Sequence, residues 1–234
     1  MKLDAVVERR LLVNYRTDPD ITARLLPAPL RPQLHNGYAV SGICLIRLGR
    51  LRHRGLPGMG LRSENAAHRI AVEWDTPDGP ACGVYIPRRD TNSFANVAAG
   101  GRLFPGVQHR AHFDVRETPD EVNVGFTSAD AKVDVGVSVC REWTPTPLFA
   151  GLDEASDFFR RGSTGYSAAH DPYRLDGLEL RTSRWQVEPT TLGHARSSFF
   201  DDPDRFPPGS AVFDCALLMR DVPVVWNALP PMRL

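Results

Sequence analysis

Apolar and charged positions alternate along residues 5–16, with Val7, Leu11, Val13 and Tyr15 on one side. A period of two predicts a strand with one buried face. Asp18-Pro19-Asp20 comes next. Asp18 suits a helix cap and Pro19 a first helical position, so a short helix is predicted over 21–26. Pro27, Pro29 and Pro32 end it and keep the chain extended. Residues 38–51 read as a long strand and 52–62 as a loop rich in Gly and Arg. Strands at 66–74 and 82–87 are joined through Pro77-Asp78-Gly79-Pro80, strong turn chemistry. A loop is predicted at 88–105. Consecutive strands are predicted at 106–116, 121–126 and 132–140, with short polar turns between them. A helix over 153–161 is stopped by Gly162. Further strands are predicted near 175–188, 210–220 and 222–227. Many strands with few, short helices predict a mainly β (α+β) fold. The expectation is one domain over 1–234, a closed or nearly closed antiparallel barrel whose central cavity suits a small molecule.

Composition narrows the partners. An apolar content of 42% supports a core in a chain of 234 residues. Basic and acidic residues balance at 28 each, which argues against nucleic acid as a partner. No apolar run is long enough for a membrane helix, and Met1-Lys2-Leu3-Asp4 lacks the apolar segment of a signal peptide. A cytoplasmic location is expected. Cys44, Cys82, Cys140 and Cys215 form no CxxC pair, so free thiols are expected rather than a zinc site. No cofactor is expected. Lys2 and Lys132 are the only lysines, so chemistry that needs an amine has two side-chain candidates.

Three segments then carry a family resemblance. Tyr15-Arg16-Thr17-Asp18 followed by Leu26-Pro27-Ala28-Pro29-Leu30 resembles the opening of acetoacetate decarboxylase. Ser63-Glu64-Asn65-Ala66-Ala67 resembles the segment whose glutamate lies beside that family's catalytic lysine. Gly101-Arg102-Leu103-Phe104-Pro105-Gly106 resembles the stretch that leads there to proline and two lysines. The stretches ENAAHRIAVEW and GVYIPRRDTNS are closest to the YqjF-like branch of the acetoacetate decarboxylase-like superfamily. The resemblance implies a cone-like β-barrel around a small-molecule cavity, and a homo-oligomer, since the resembled enzymes assemble. It also marks a departure, because Gly106 and Val107 stand where the lysines would be.

An imine mechanism needs a neutral lysine amine. Lys132 follows a predicted turn, so no Schiff base is expected. By resemblance, Arg16 is a substrate-binding candidate, or else a scaffold residue paired with Asp18 or Glu64, and Glu64 is a catalytic acid or base, or else a loop carboxylate at a strand start. His68 shares strand parity with Glu64, which allows an acid–base pair or a satisfied core histidine. His109 shares a face with Val107, Ala111 and Phe113 and is a catalytic candidate near the missing lysine. His112 should face solvent. Arg89 and Arg102 are candidates for an anionic substrate, with an Arg–Asp bridge within Arg88-Arg89-Asp90 as the alternative. Tyr166 can donate a hydrogen bond at the cavity mouth or anchor a connecting segment. The functions that fit are an enzyme on an oxo or carboxylate substrate (lyase, isomerase or cyclase type), a non-catalytic small-molecule binder, and an interaction subunit with a filled cavity.

Overall fold

The computed structural model describes residues 2–53, 60–101 and 105–234. In chain order the elements are β1 (Lys2–Thr17), α1 (Pro19–Ala23), β2 (Arg31–Pro32), β3 (Leu34–His35), β4 (Tyr38–His53), β5 (Leu61–Thr76), β6 (Gly79–Thr91) and α2 (Phe94–Ala99). They continue with β7 (His109–Arg110), β8 (His112–Glu117), β9 (Glu121–Thr127), β10 (Lys132–Val139), α3 (Leu152–Arg161), β11 (Thr164–Ala168), β12 (Arg174–Arg181), β13 (Glu188–Ser197) and β14 (Ala211–Arg233). The fold is mainly β, as expected.

Strands β1-β4-β5-β6-β11-β12-β14 form a hydrogen-bonded path, and β14 also pairs with β1, which returns the path to its start. A second run, β13-β10-β9-β8, branches from β14. The pairing is not wholly antiparallel: β11 and β7 both run parallel to β6. Each is reached by a long connection rather than a hairpin, which is what parallel pairing requires.

Two apolar clusters lie on opposite faces of the β1-β4-β5 wall. One contains Leu12, Cys44, Ala67, Phe159, Leu178 and Leu217 and fills the inside of the ring. The other contains Leu11, Ile43, Ala66, Val124, Val135 and Phe200 and lies between the wall and the second run. Neighbouring residues on one strand therefore serve different cores, and these strands read as apolar on both sides.

Helix ends follow from local chemistry. Asp18 Oδ1 accepts from the N–H groups of Asp20 and Ile21 at 2.9 and 3.0 Å and starts α1. α3 carries Asp153 and Glu154 in its first turn and Arg160 and Arg161 in its last, matching the helix dipole. It buries Ala155, Phe158 and Phe159 against the ring.

Several sequence expectations are corrected. β6 runs on through Arg88-Arg89-Asp90, where the pattern predicts a loop. α2, capped by Ser93, lies inside that same predicted loop. The strand predicted over 106–116 is two pieces, because Ala111 donates to the Thr91 carbonyl and breaks the run. β11 has no counterpart among the predicted elements, and the strand predicted to 188 ends at Arg181. The strands at 210–220 and 222–227 are one strand, continuous through Asp221 at φ 51°. Part of the predicted 52–62 loop, and Arg102 to Phe104, lie outside the described residues.

Candidate functional site

Inside the ring is a cavity of about 70 Å³ that is partly open to solvent. Its floor is the cross-strand row Cys44, Ala67 and Arg89, in register across β4, β5 and β6, with Leu12 next in the row on β1. Arg10 and Arg69 lie diagonally to either side of Cys44, and Phe159 and Trp185 close over them. Ala67 is small, so the space above it stays open between the Cys44 thiol and the Arg89 guanidinium.

Two bulges aim these side chains. Val7 pairs with Leu48 and Arg9 with Arg47, so Glu8 is extra on β1 and parity flips there. Val7 and Arg10 consequently both line the cavity. On β6, His68 faces Arg88 and Ile70 faces Tyr85, leaving Ile86 and Pro87 opposite Arg69 alone. This bulge turns Arg89 inward with Ile86, and it takes up Pro87, which has no N–H to give the ladder.

The three arginines have no carboxylate partner among the described residues. Arg69 donates from Nε to Cys44 Sγ at 3.2 Å and from Nη2 to Asn14 Oδ1, and its guanidinium lies 4.8 Å from the Phe159 ring. Arg10 donates to Cys44 Sγ at 3.6 Å and lies 5.8 Å from the Trp185 ring, while its buried Nε has no hydrogen-bond partner. Arg89 donates twice to Ser167 Oγ, at 3.0 and 2.8 Å. Burial lowers the Arg89 pKa to about 10 and lowers that of Arg69 as well. Burial alone would raise the Cys44 thiol; the positive charges of Arg10 and Arg69 outweigh it, and its pKa is lowered. The arrangement can hold an anion and can place a thiolate against it.

Gly106 lies against the inward-pointing side chains of Arg89 and Ser167. It has φ +86°, and a Cβ there would come within 2.7 Å of Ser167 Cβ and 3.0 Å of Arg89 Nε. Its N–H donates to Asp176 Oδ2 at 3.1 Å. The position that the resemblance marks as an emptied lysine site thus packs on the Arg89–Ser167 pair. Lys132 is exposed at the start of β10, and among the described residues no lysine lines the cavity.

The structure separates the other candidates from this cavity. Glu64 is on the opposite face of β5, where its carboxylate takes Arg9 Nη2 and Arg47 Nε at 2.6 Å each; Glu117 joins the same network. His68 does share the face of Glu64, but it is fully buried, with its ring tilted against Phe199 at 4.8 Å between centroids. Burial, with Arg88 and Arg205 nearby, lowers its pKa to about 3. His109 is exposed rather than facing inward with Ala111, and lines an open surface groove with Arg88, Asp130 and Arg205. His112 is exposed, as expected. Arg16 is on the Arg10 face of β1 but six residues on, about 20 Å at strand spacing. It pairs with Asp214 at 3.5 Å. Tyr166 alternates outward from Gly165 and Ser167 and packs on Trp74 at 5.4 Å. In Arg88-Arg89-Asp90 the salt bridge belongs to Arg88, which binds Asp90 and Asp130, and leaves Arg89 free for the cavity. Arg102 lies outside the described residues. Among the described residues no group of His, Cys, Asp or Glu is placed to hold a metal, and no helix is long and apolar enough to cross a membrane.

Arg10, Arg69 and Cys44 escaped the sequence reading. A usable signal was present: Arg69 shares its strand face with Ala67 and Ala71, and a charged residue between small ones leaves room beside the charge.

A family model, DUF2071, described as an uncharacterized conserved protein, matches residues 5–213. The chain belongs to DUF2071. The match spans β1 to the start of β14 and so includes every charged residue of the cavity. A search of curated proteins finds no significant match. Solved structures similar to this DUF2071 protein include acetoacetate decarboxylase from Legionella pneumophila, at TM-score 0.60 and 13% identity, covering 99% of this chain and 88% of the other. An acetoacetate decarboxylase-like enzyme from Sphingomonas wittichii RW1 matches at TM-score 0.61 and 13% identity, covering 100% and 92%. The enduracididine biosynthesis enzyme MppR, solved with pyruvate, matches at TM-score 0.56 and 14% identity, covering 98% and 90%. At these identities the likeness is one of fold alone.

Proposed function

We propose that this DUF2071 protein is an enzyme that moves a proton on a small oxo or carboxylate substrate without a Schiff-base lysine, in lyase, isomerase or cyclase chemistry. The reading rests on one observation: the buried guanidinium groups of Arg69 and Arg89, the half-buried one of Arg10 and one thiol face a common cavity with no carboxylate among its described lining residues. Arg10 and Arg69 bind the substrate's carboxylate beside Cys44. The Cys44 thiolate takes the proton from the carbon next to the carbonyl, and the electron pair moves onto the carbonyl oxygen. Arg89 stabilises that enolate. The Cys44 thiol then returns the proton, at the same or another carbon, or the enolate expels a leaving group. The proton-transfer role expected of Glu64 and His109 passes to Cys44, and the anion-binding role of Arg89 is kept. The structure of MppR with pyruvate, a small oxo acid, supports a ligand of this class on a similar fold.

Proton exchange tests the proposal. Pyruvate, 2-oxobutyrate and acetoacetate are screened by thermal shift, and binders are followed in D₂O by NMR for loss of the signal next to the carbonyl. Native protein should bind and exchange, while Cys44→Ala should bind and not exchange. The reading is abandoned if no oxo acid raises Tm, or if Cys44→Ala exchanges at the native rate. Binding without exchange in the native protein would identify a non-catalytic binder. Borohydride should trap no labelled ketone on the protein.

A further inference from the structure

Among the described residues, every strand longer than two residues has at least two partner strands except β8, which pairs with β9 alone. Its main chain joins no backbone hydrogen bond beyond that ladder. Half of the N–H and C=O groups of His112–Glu117 therefore point away from β9 with no described partner, and such a row is a template for another strand.

The side chains select the strand that fits. Phe113 and Val115 are half-buried on the face that packs on the second core, while His112, Asp114 and Arg116 are exposed on the other face. Asp114 and Arg116 are opposite Gly125 and Asn123 on β9, and neither forms an ion pair among the described residues. Two copies of one strand pair antiparallel about an axis that passes through a residue, because residues opposite each other must share a face. An axis at Asp114 or at Arg116 sets a like charge on itself. An axis at Val115 sets Asp114 on Arg116 twice and the β-branched Val115 on its own copy, both favourable cross-strand pairs. Of these three registers the charges admit only the last.

We propose that β8 is the seam of a homodimer, in which two copies pair antiparallel about a two-fold axis at Val115 and Asp114 of each faces Arg116 of the other. The seam is across the β1-β4-β5 wall from the cavity and does not depend on the chemistry proposed there. Six residues make a seam about 20 Å long, a small interface, so the dimer should be of micromolar rather than nanomolar affinity.

Sedimentation equilibrium from about 2 to 200 µM at low salt tests it, with a dimer Kd below about 100 µM expected for the native protein. Asp114→Arg and Arg116→Asp should each raise that Kd at least about tenfold, since symmetry makes both charge contacts repulsive at once. The double variant Asp114→Arg/Arg116→Asp should return it to within about threefold of native, and an equimolar mixture of the two single variants should form a heterodimer. Hydrogen exchange of the native protein reads the same seam without a variant: β8 amides should gain protection between the lowest and highest concentration. A native protein that stays monomeric throughout overturns the proposal. A dimer that both single variants form as tightly, or whose β8 amides gain no protection, is made elsewhere on the surface and overturns it too. Loss in the single variants without rescue in the double variant overturns the Val115 register.

Discussion

Glu64 tests whether the acidic residue marked by family resemblance serves chemistry or architecture. Its two carboxylate oxygens take two different guanidinium groups at 2.6 Å, and one of those, Arg9, is fully buried. Glu64→Gln keeps the shape but turns one oxygen into an amide that faces a donor with a donor. It also leaves Arg9 with only Glu117, at 3.4 Å. Breaking a buried pair costs about 3–5 kcal/mol, and the remaining Glu117 contact places this substitution near the lower end, about 3 kcal/mol. In a chain of this length that corresponds to a fall in Tm of about 6–12 °C. Urea denaturation read by fluorescence gives the free energy, and calorimetry with the best anionic ligand gives its Kd on the same protein. The expected result is a lower midpoint with ligand affinity and exchange rate per folded molecule unchanged. A variant with native stability, or a stable variant that no longer exchanges substrate protons, would refute the assignment of Glu64 to the scaffold.

Ala67→Leu should fill the cavity floor, lower Tm without ligand by no more than a few degrees through overpacking, and abolish ligand-induced stabilisation; thermal shift with and without pyruvate measures both. His68 should make the fold acid-sensitive. Its folded pKa of about 3 lies below the unfolded 6.5, so the unfolded chain binds the extra proton and stability falls as pH drops from 6.5 toward 3. The loss should be about 3 kcal/mol by pH 4, and urea midpoints for native and His68→Leu should converge as the pH is lowered. Cys44 has the same sign at the alkaline end: its folded pKa is below the unfolded 9.0, so stability should rise with pH toward 9, and Cys44→Ser should flatten that rise.

The alternation in β1, the long run in β4 and the turn from Pro77 to Pro80 were legible because strand period and turn chemistry are local. The Asp18 cap and the Gly162 stop were legible for the same reason. The direction of Arg10 and Arg89 was not, because each depends on a bulge. Counted from Val7, Arg10 should lie opposite to Val7; counted from Ile86, Arg89 should point outward. The extra residues Glu8 and Pro87 reverse both. Nothing in the one-dimensional pattern distinguishes a bulged residue from a paired one, since the choice is made by the neighbouring strand. Pro87 also read as a strand end, when the bulge allows the strand to continue to Thr91. The resemblance pointed to the neighbourhood of the cavity through Gly106 and Arg89, yet its glutamate, Glu64, belongs to the other face of the same strand.

The ring around the cavity is closed by β1 and β14, which pair from Lys2 with Asn227 to Thr17 with Ala211. This pocket therefore has no precursor during synthesis: until β14 emerges from the ribosome, β1 lacks one neighbour and Arg10 faces a wall with a gap. Contacts so distant in sequence make folding slow, and the waiting β1 edge is open to pairing with another chain. The same closure couples binding to completeness. A ligand that spans Cys44 and Arg89 ties β4 to β6 inside a ring that only β14 can shut, so it should protect the β1–β14 seam from hydrogen exchange although it touches neither strand's backbone.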